Sequence, residues 1–205
     1  MGYPHKSHPR ETPILSKHFG EPEARTLEGW KARGGYKALQ QALYLEPTAI
    51  QDLVKASGLR GRGGAGFPTG LKWSFMKPDG KQHYLCCNAD ESEPGTFKDR
   101  EIMRWTPHAL IEGVAIGALA IYADTAYIYI RGEFTEPIRV MEAALAEARA
   151  GRSSATRSTE APCHRAVQTA AGAGSTRCRL ASQAVSPSRR LLTPGTRSST
   201  SDCTA

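Results

Sequence analysis

Residues 106–130 read TPHALIEGVAIGALAIYADTAYIYI, and this stretch decides the predicted fold. Thr106 is a favourable N-cap, and Pro107 suits the first position of a helix. The apolar side chains that follow recur at the spacing of one helix face as far as Tyr122. Tyr127–Ile130 is a run of aromatic and β-branched residues, which is typical of a strand. The sequence therefore predicts a helix that leads into a strand.

The same alternation continues on both sides of that stretch. His83–Cys87 reads as a buried strand before the helix, and a second amphipathic helix follows the later strand, marked by Ile138, Met141, Leu145 and Ala148. The order strand, helix, strand, helix predicts a parallel β-α-β unit in a Rossmann-like α/β domain with flanking helices. Two parallel strands bury too little surface to stand alone, so we expect an incomplete domain.

Three segments are predicted along the 205 residues. Residues 1–45 form an extended N-terminal arm and a helix, and residues 46–150 form the partial α/β domain. Residues 151–205 are rich in Arg, Ser, Thr and Ala, contain almost no large apolar side chains, and are predicted to be disordered. The change after Ala150 is abrupt, as out-of-frame translation of GC-rich DNA would produce. A natural disordered tail is the alternative.

The formal net charge of +7 suggests an anionic partner until its location is considered. Residues 151–205 contain eight Arg and two acids, so nearly all of the excess belongs to the tail and the body is close to neutral. A nucleic-acid-binding module acting through the tail stays open as an alternative. It is disfavoured because the tail has no aromatic side chain on which a base could stack.

Cysteine usage and hydropathy indicate the kind of compartment in which the chain resides. The five cysteines follow no zinc, iron–sulfur or disulfide spacing, which favours a reducing compartment. We expect Cys86 and Cys87 to belong to the strand core rather than to act as nucleophiles, and we expect no metal site. No apolar targeting segment follows Met1, and the apolar window Ala109–Ala123 is too short for a bilayer span. The sequence therefore predicts a soluble chain without direct membrane insertion.

A glycine-rich segment, residues 61–70, is the first candidate for chemistry. Gly61, Gly63 and Gly66 match G-x-G-x-x-G, but the dinucleotide fingerprint requires a preceding strand and the preceding run is helical. The glycine density leaves backbone N–H groups open to an anion where a short helix begins, and Lys72 lies one turn into that helix. Phe67, with Phe75 further on, could stack on a planar ring. A mobile glycine linker is the alternative.

The second candidate is the polar run Asn88–Thr96, which reads NADESEPGT and directly follows a buried strand. The carboxyl end of a strand is where open α/β sheets bind ligands. Its amide and carboxylate groups could hydrogen-bond a polyhydroxyl chain or the edge of a ring. A solvated acidic loop is the alternative for any such run taken alone.

Residues 58–73, GLRGRGGAGFPTGLKW, and residues 87–100, CNADESEPGTFKDR, together resemble one known family. They are similar to the NADH- and FMN-binding flavoprotein subunit of bacterial respiratory complex I, the NADH-quinone oxidoreductase. The resemblance runs from about Ile14 to Ala150 and includes residues 127–133, YIYIRGE. It implies an FMN-binding α/β domain that takes a hydride from NADH and passes electrons to iron–sulfur clusters and quinone, with the protein supplying position and electrostatics.

The resemblance also implies roles for individual residues. Those assigned to FMN would hold its phosphate or hydrogen-bond its ribityl chain and ring: Gly61, Gly63, Gly64 and Lys72 for the phosphate, and Asn88, Asp90 and Glu91 for the rest. Phe67 and Phe75 would stack on the adenine of NADH, and Glu93 would lie beside its nicotinamide. The implied partners are the thioredoxin-like 2Fe-2S subunit and the large iron–sulfur subunit. The implied location is cytoplasmic, at the inner face of the cell membrane through the parent complex.

The chain departs from the family pattern after Ala150. A second glycine-rich motif with a Glu pair, an Asn-Asn-Thr stretch, and the C-x-x-C-x-x-C ligands of a 4Fe-4S cluster are expected in the family and do not occur here. We therefore expect this polypeptide to bind FMN weakly or not at all and not to deliver electrons. A diaphorase subunit of an NAD-linked hydrogenase or formate dehydrogenase is the closer alternative. A non-catalytic adaptor that docks through the N-terminal arm is a further one.

Overall fold

The computed structural model describes residues 9–155 and 166–171, with side chains for residues 9–151. Helices precede and separate the strands, and no helix within these residues is long and apolar enough to cross a membrane. The elements in chain order are a 3-10 helix Pro22–Arg25, α1 Leu27–Ala32, α2 Lys37–Ala42, α3 Pro47–Ala56, α4 Thr69–Ser74, β1 His83–Ala89, α5 Lys98–Trp105, α6 Pro107–Ala120, β2 Ala123–Ile130, α7 Thr135–Ala155 and β3 Ala166–Ala171.

The three strands form one parallel sheet in the order β1-β2-β3. β1 pairs with β2 from Tyr84 opposite Thr125 to Ala89 opposite Ile130, so the two strands end side by side. The predicted α/β domain with parallel strands and flanking helices is confirmed. Helix α5 is not predicted by the sequence, because the run that contains it is dominated by charged residues and only its buried face is apolar.

Strand β3 lies inside the segment for which the sequence predicts disorder. It pairs in parallel with β2 from Ala166 opposite Thr125 to Ala171 opposite Ile130, and α7 also continues past Ala150 to Ala155. The structure differs from the prediction in these two segments. The physical reason for β3 is that the second edge of β2 offers backbone donors and acceptors to any extended segment, whatever its side chains. The remainder of the predicted tail lies outside the described residues.

The hydrophobic core lies between the sheet and the layer formed by α5, α6 and α7. Its buried members are Ala89, Met103, Ile111, Val114, Ala126, Ile128, Ile130, Met141, Ala144 and Leu145. Cys87 packs against this cluster and is half-buried, whereas Cys86 is exposed on the opposite face of β1. The prediction that both cysteines belong to the core is therefore wrong for Cys86, since successive residues of a strand point to opposite faces.

The N-terminal segment is attached to α6 through one buried carboxylate. Glu112 accepts hydrogen bonds from Trp30 Nε1 at 3.2 Å, from the Tyr36 amide at 2.8 Å and from the Leu39 amide at 3.2 Å. The Tyr36 hydroxyl lies 2.8 Å from Nδ1 of the buried His108. The predicted extended arm thus contains a 3-10 helix and α1 in its described part, because Glu112 supplies acceptors that the local sequence does not reveal.

Candidate functional site

The glycine-rich segment folds into a closed surface loop, residues 61–67, which we call the glycine loop. An antiparallel bridge pairs Arg60 with Pro68, and the Gly61 amide donates to the Phe67 carbonyl at 2.9 Å. Pro68 is the N-cap of α4, which begins at Thr69, so the loop directly precedes a helix N-terminus, as predicted. The glycine amides themselves belong to the closed loop and not to the first turn of α4.

The backbone of the glycine loop is left uncovered by the chain. Within the described residues, the amides of 62–66 donate to no acceptor. A Cβ added to Gly63, Gly64 or Gly66 would meet nothing within 4 Å. Gly64 and Gly66 have φ of 111° and 60°, a region that glycine adopts without steric cost. Open amides beside empty space fit an anionic group such as a phosphate.

Gly70 differs from the loop glycines because it has a packing role. It is buried where α4 crosses α3, and a Cβ on it would lie 2.4 Å from the Lys55 amide nitrogen and 2.9 Å from the Gln51 carbonyl oxygen. Contacts that short require the two helix backbones to move apart. The glycine at position 70 therefore holds α4, and the loop that precedes it, close to α3.

The side chains next to the glycine loop are available to a ligand. Lys72 is exposed and forms no ion pair within the described part of the chain. Phe67 and Phe75 are 45% and 62% exposed, and their ring centroids lie 6.2 Å apart in a tilted arrangement. Trp73 packs against buried residues of α6 and is therefore part of the core rather than of the ligand surface. Lys72 and the aromatic pair are therefore close in sequence to the uncovered amides, as are the guanidinium groups of Arg60 and Arg62.

Residues 88–97, which we call the acidic loop, comprise Asn88 and Ala89 at the end of β1 and the loop that leaves its carboxyl end, so the strand continues two residues further than predicted. The Asp90 amide donates to Asn88 Oδ1 at 3.0 Å, and the Ser92 hydroxyl donates to Asp90 Oδ1 at 2.9 Å. A backbone turn joins the Thr96 amide to the Glu93 carbonyl at 3.1 Å. The side chains of Asn88, Asp90 and Glu93 are exposed, so this loop presents an amide and two carboxylates to the solvent.

Glu91 is the exception in the acidic loop because its side chain points inward and is only 1% exposed. Its two carboxylate oxygens accept hydrogen bonds from the amides of Asp99 at 2.9 Å and Arg100 at 3.1 Å. These amides belong to the first turn of α5, where a carboxylate also meets the positive end of the helix dipole. Glu91 therefore fixes the acidic loop to α5, and its predicted contact with FMN stays a prediction.

Helix α6 supports both candidate loops, although no hydrogen bond or ion pair joins one loop to the other within the described residues. A Cβ on Gly117 of α6 would lie 3.1 Å from Leu85 Cδ1 and 3.4 Å from Trp73 Cζ2. Leu85 precedes the acidic loop in β1, and Trp73 follows the glycine loop in α4. The strand that leads into the acidic loop and the helix that follows the glycine loop therefore both contact α6 at Gly117.

Sequence reasoning missed one residue at the site. Arg131 directly follows β2, and its Nη1 donates to the Glu91 carbonyl at 3.2 Å. Its position in the sequence could have identified it. A residue that directly follows one parallel strand lies beside the loop that follows the adjacent strand of the sheet. Among the described residues, no group of three or more His, Cys, Asp or Glu side chains could hold a metal ion.

A parallel α/β sheet, an uncovered glycine loop and a polar loop at a strand end define a domain that binds a phosphate-bearing cofactor. A model of the Nuo51 FMN-binding domain family matches residues 54–177. The chain belongs to this family, which confirms the family resemblance seen in the sequence. The match continues past Ala150, where the resemblance recognised from the motifs ends.

Two curated relatives are subunits of NADH-quinone oxidoreductases. The chain is 59% identical over 138 residues to the F 2 subunit of the Rhizobium meliloti enzyme and 52% identical over 146 residues to the F subunit of the Mycobacterium bovis enzyme. These alignments cover 66% and 67% of this chain and 33% of each relative. The chain therefore spans about a third of the length of the curated relatives it matches.

Solved structures give the same fold. An NAD⁺-reducing [NiFe]-hydrogenase in its H₂-reduced state contains a chain 41% identical in sequence, with a TM-score of 0.56 over 65% of this chain and 22% of that one. The air-oxidised form gives 36% identity and a TM-score of 0.52 over 80% of this chain and 23% of that one. The fold of this chain is thus found in two kinds of NAD-linked redox assembly.

Proposed function

We propose that this chain provides the FMN- and NADH-binding part of the flavoprotein component of a complex I type NADH dehydrogenase. In such a component NADH gives a hydride to FMN, and electrons pass on through iron–sulfur clusters to quinone. The observation that carries the proposal is the uncovered glycine loop, followed by a short helix with an exposed Lys72 that forms no ion pair within the described residues, in a chain of an FMN-binding family. A bound FMN would supply the conversion between two-electron and one-electron transfer.

The phosphate of FMN would lie against the glycine loop. The amides of Gly63 and Gly64 are free to donate to it, and Lys72 supplies the full positive charge. The Gly61 amide already donates to Phe67, so we assign Gly61 the role of closing the loop rather than of donating to the phosphate. The glycine loop would thus present the phosphate with donors that have no competing acceptor within the described residues.

The acidic loop would meet the ribityl chain and ring of FMN. Asn88 and Asp90 are exposed and held by hydrogen bonds within the loop, so they are oriented for a hydroxyl or ring donor. Glu91 would act mainly by holding the loop on α5. Glu93 is exposed and would lie beside the nicotinamide of NADH.

Phe67 and Phe75 would receive the adenine of NADH. Their rings are tilted by 56° rather than parallel, so adenine would stack on the exposed face of the pair and not between the two rings. This places the adenine end beside the glycine loop, where Phe67 closes the loop through its carbonyl.

The parent assembly we propose is the peripheral arm of a complex I type enzyme at the cytoplasmic side of the membrane. Its neighbours would be the thioredoxin-like 2Fe-2S subunit and the large iron–sulfur subunit. The higher identity to quinone oxidoreductase subunits than to the hydrogenase chains favours this assembly. The structural similarity to the NAD⁺-reducing hydrogenase keeps a hydrogenase diaphorase subunit as the second candidate.

The proposed function is tested by comparing FMN with riboflavin, which lacks the phosphate. Flavin fluorescence is titrated with the full 205-residue chain, with a Lys72→Met variant and with Lys37→Met, an exposed lysine on α2, as the matched control. We expect weak binding in which FMN is preferred over riboflavin, and we expect Lys72→Met to reduce that preference by about tenfold, since a charge-assisted hydrogen bond contributes about 1.5–3 kcal/mol. Equal affinity for the two flavins would contradict the phosphate site.

A second measurement addresses electron transfer. The 205-residue chain contains no Cys-x-x-Cys pair, so it cannot hold a 4Fe-4S cluster through that motif. We expect the purified chain to lack stoichiometric yellow flavin and NADH:ferricyanide activity, because both need tightly bound FMN and these 205 residues contain neither the second glycine-rich motif nor the Asn-Asn-Thr stretch of the family. A stoichiometric flavoprotein with that activity would overturn this part of the proposal.

A further inference from the structure

The carboxyl ends of β1 and β2 place two residues next to each other that lie far apart in the sequence. Ala89 and Ile130 are paired at the end of the strands, so Asp90 and Arg131 are the first residues beyond them. The acidic loop leaves the sheet at this point. A side chain that starts at the end of β2 can therefore reach the backbone of that loop.

Arg131 makes this connection while it is anchored on other groups. Its Nη1 donates to the Glu91 carbonyl at 3.2 Å, and its Nε donates to Glu133 Oε2 at 2.6 Å. The guanidinium carbon lies 5.8 Å from the ring centroid of Phe134, which packs against the hydrophobic core. Three contacts in different directions leave the guanidinium little freedom, so its bond to the loop is held in place.

The same loop residue is held from its other side. The Glu91 carboxylate accepts from the amides of Asp99 and Arg100, and the Arg100 guanidinium carbon lies 6.0 Å from the Phe134 ring centroid. Glu91, Arg100, Phe134 and Arg131 therefore form a closed circle of contacts around the start of the acidic loop. Because Glu91 is bound at both its carbonyl and its side chain, it cannot shift without breaking one of these contacts.

We infer that Arg131 is a positioning residue for the flavin site, acting through Glu91 on Asp90, an inference that rests on the proposed function. Asp90 is bonded covalently to Glu91, and its exposed carboxylate accepts a hydrogen bond from Ser92. Arg131 therefore fixes the position of Asp90, the first residue beyond β1, without touching the cofactor. Binding groups held in advance lose less freedom when the ligand arrives.

The test compares Arg131→Gln with Arg139→Gln, a matched change on α7 outside this circle of contacts, in the full 205-residue chain. Amide hydrogen exchange of residues 88–97 is followed by mass spectrometry. We expect exchange at least about tenfold faster in Arg131→Gln, with the peptides of β2 and α6 unchanged, and no change in Arg139→Gln. Arg131→Lys keeps one donor for the Glu91 carbonyl and should restore part of the protection.

FMN affinity supplies a readout that a merely structural role would not produce. We expect Arg131→Gln to weaken FMN binding about fivefold in the native background and to have no further effect in an Asp90→Ala background, because the two changes remove the same interaction. Additive losses, or loop exchange equal to that of the native chain, would overturn the inference. If the native chain shows no flavin binding at all, the proposed function fails, and the exchange comparison alone then decides whether Arg131 holds the loop.

Discussion

The glycine loop and the acidic loop adjoin elements that pack on α6 and are built in opposite ways. The glycine loop closes on itself, leaves the amides of 62–66 without acceptors in the described part of the chain, and has empty space above Gly63 and Gly64. The acidic loop is fastened by Glu91 to α5 and by Arg131 to the end of β2. Backbone amides can bind a ligand only if the chain leaves them uncovered, whereas short side chains must be held in position to reach it. The two loops therefore differ because one offers backbone donors and the other offers side chains to the same ligand.

The largest effect on stability should come from the fastening of the acidic loop. Replacing Glu91 by Ala removes a buried carboxylate and leaves the amides of Asp99 and Arg100 without their acceptor. We expect a loss of about 3 kcal/mol in the free energy of unfolding, measured by urea denaturation. Glu93→Ala removes an exposed acid from the same loop and should change stability by less than about 0.5 kcal/mol. Equal effects of the two variants would show that the loop is not fastened at Glu91.

The two cysteines that lead into the acidic loop should differ strongly in reactivity. Burial raises the pKa of the Cys87 thiol to about 11, from an ordinary value of 9.0, while Cys86 is exposed. At pH 8 the thiolate fraction of Cys87 should be about a hundredfold below that of an ordinary thiol, since each pKa unit is tenfold.

Iodoacetamide labelling followed by fragment mass spectrometry separates the adjacent cysteines. We expect Cys86 to be modified first and the rate at Cys87 to rise about tenfold per pH unit up to pH 11, because only the thiolate reacts. Modification of Cys87 as fast as Cys86 at pH 8 would mean that the covered face of β1 opens readily. The support of the acidic loop would then be weaker than the structure indicates.

A pair of glycine variants should separate packing from ligand access. Gly70→Ala places a Cβ 2.4 Å from the Lys55 amide nitrogen, so we expect a loss of about 2 kcal/mol in the free energy of unfolding. Gly63→Ala meets nothing within 4 Å, so it should leave the melting temperature unchanged and weaken FMN binding instead. Differential scanning fluorimetry and flavin titration measure the two properties. A destabilised Gly63→Ala variant with unchanged affinity would reverse the assigned roles.

The smallest effect is expected inside the glycine loop. Arg60 Nε donates to the Gly66 carbonyl at 2.6 Å in an exposed position, so Arg60→Gln should cost only about 0.5 kcal/mol in unfolding free energy. Arg62→Gln, at an exposed position in the same loop, is the matched control. Exchange of the Gly61 amide, which donates to the Phe67 carbonyl and closes the loop, should quicken in Arg60→Gln alone. A large loss of stability in Arg60→Gln would show that the glycine loop is held as firmly as the acidic loop, which would contradict the contrast between them.

Local patterns in the sequence were sufficient for much of the fold and for the candidate site. Apolar spacing in residues 106–130 predicts α6 and the second half of β2, and the run after His83 predicts β1 with its polar loop at the carboxyl end. The motifs around Gly61 and Asn88 point to the family that the later comparison confirms. These signals are local because one helix face or one strand is encoded by neighbouring residues.

The sequence alone does not determine which groups hold these elements together. The inward turn of Glu91 toward the first amides of α5, the reach of Arg131 across two strand ends, and the attachment of the N-terminal segment to Glu112 all depend on contacts between separate elements. Strand β3 and the exposure of Cys86 likewise follow from sheet pairing and from which face is covered. Residue spacing encodes local conformation, but a buried carboxylate or a free strand edge finds its partner only when the chain has folded.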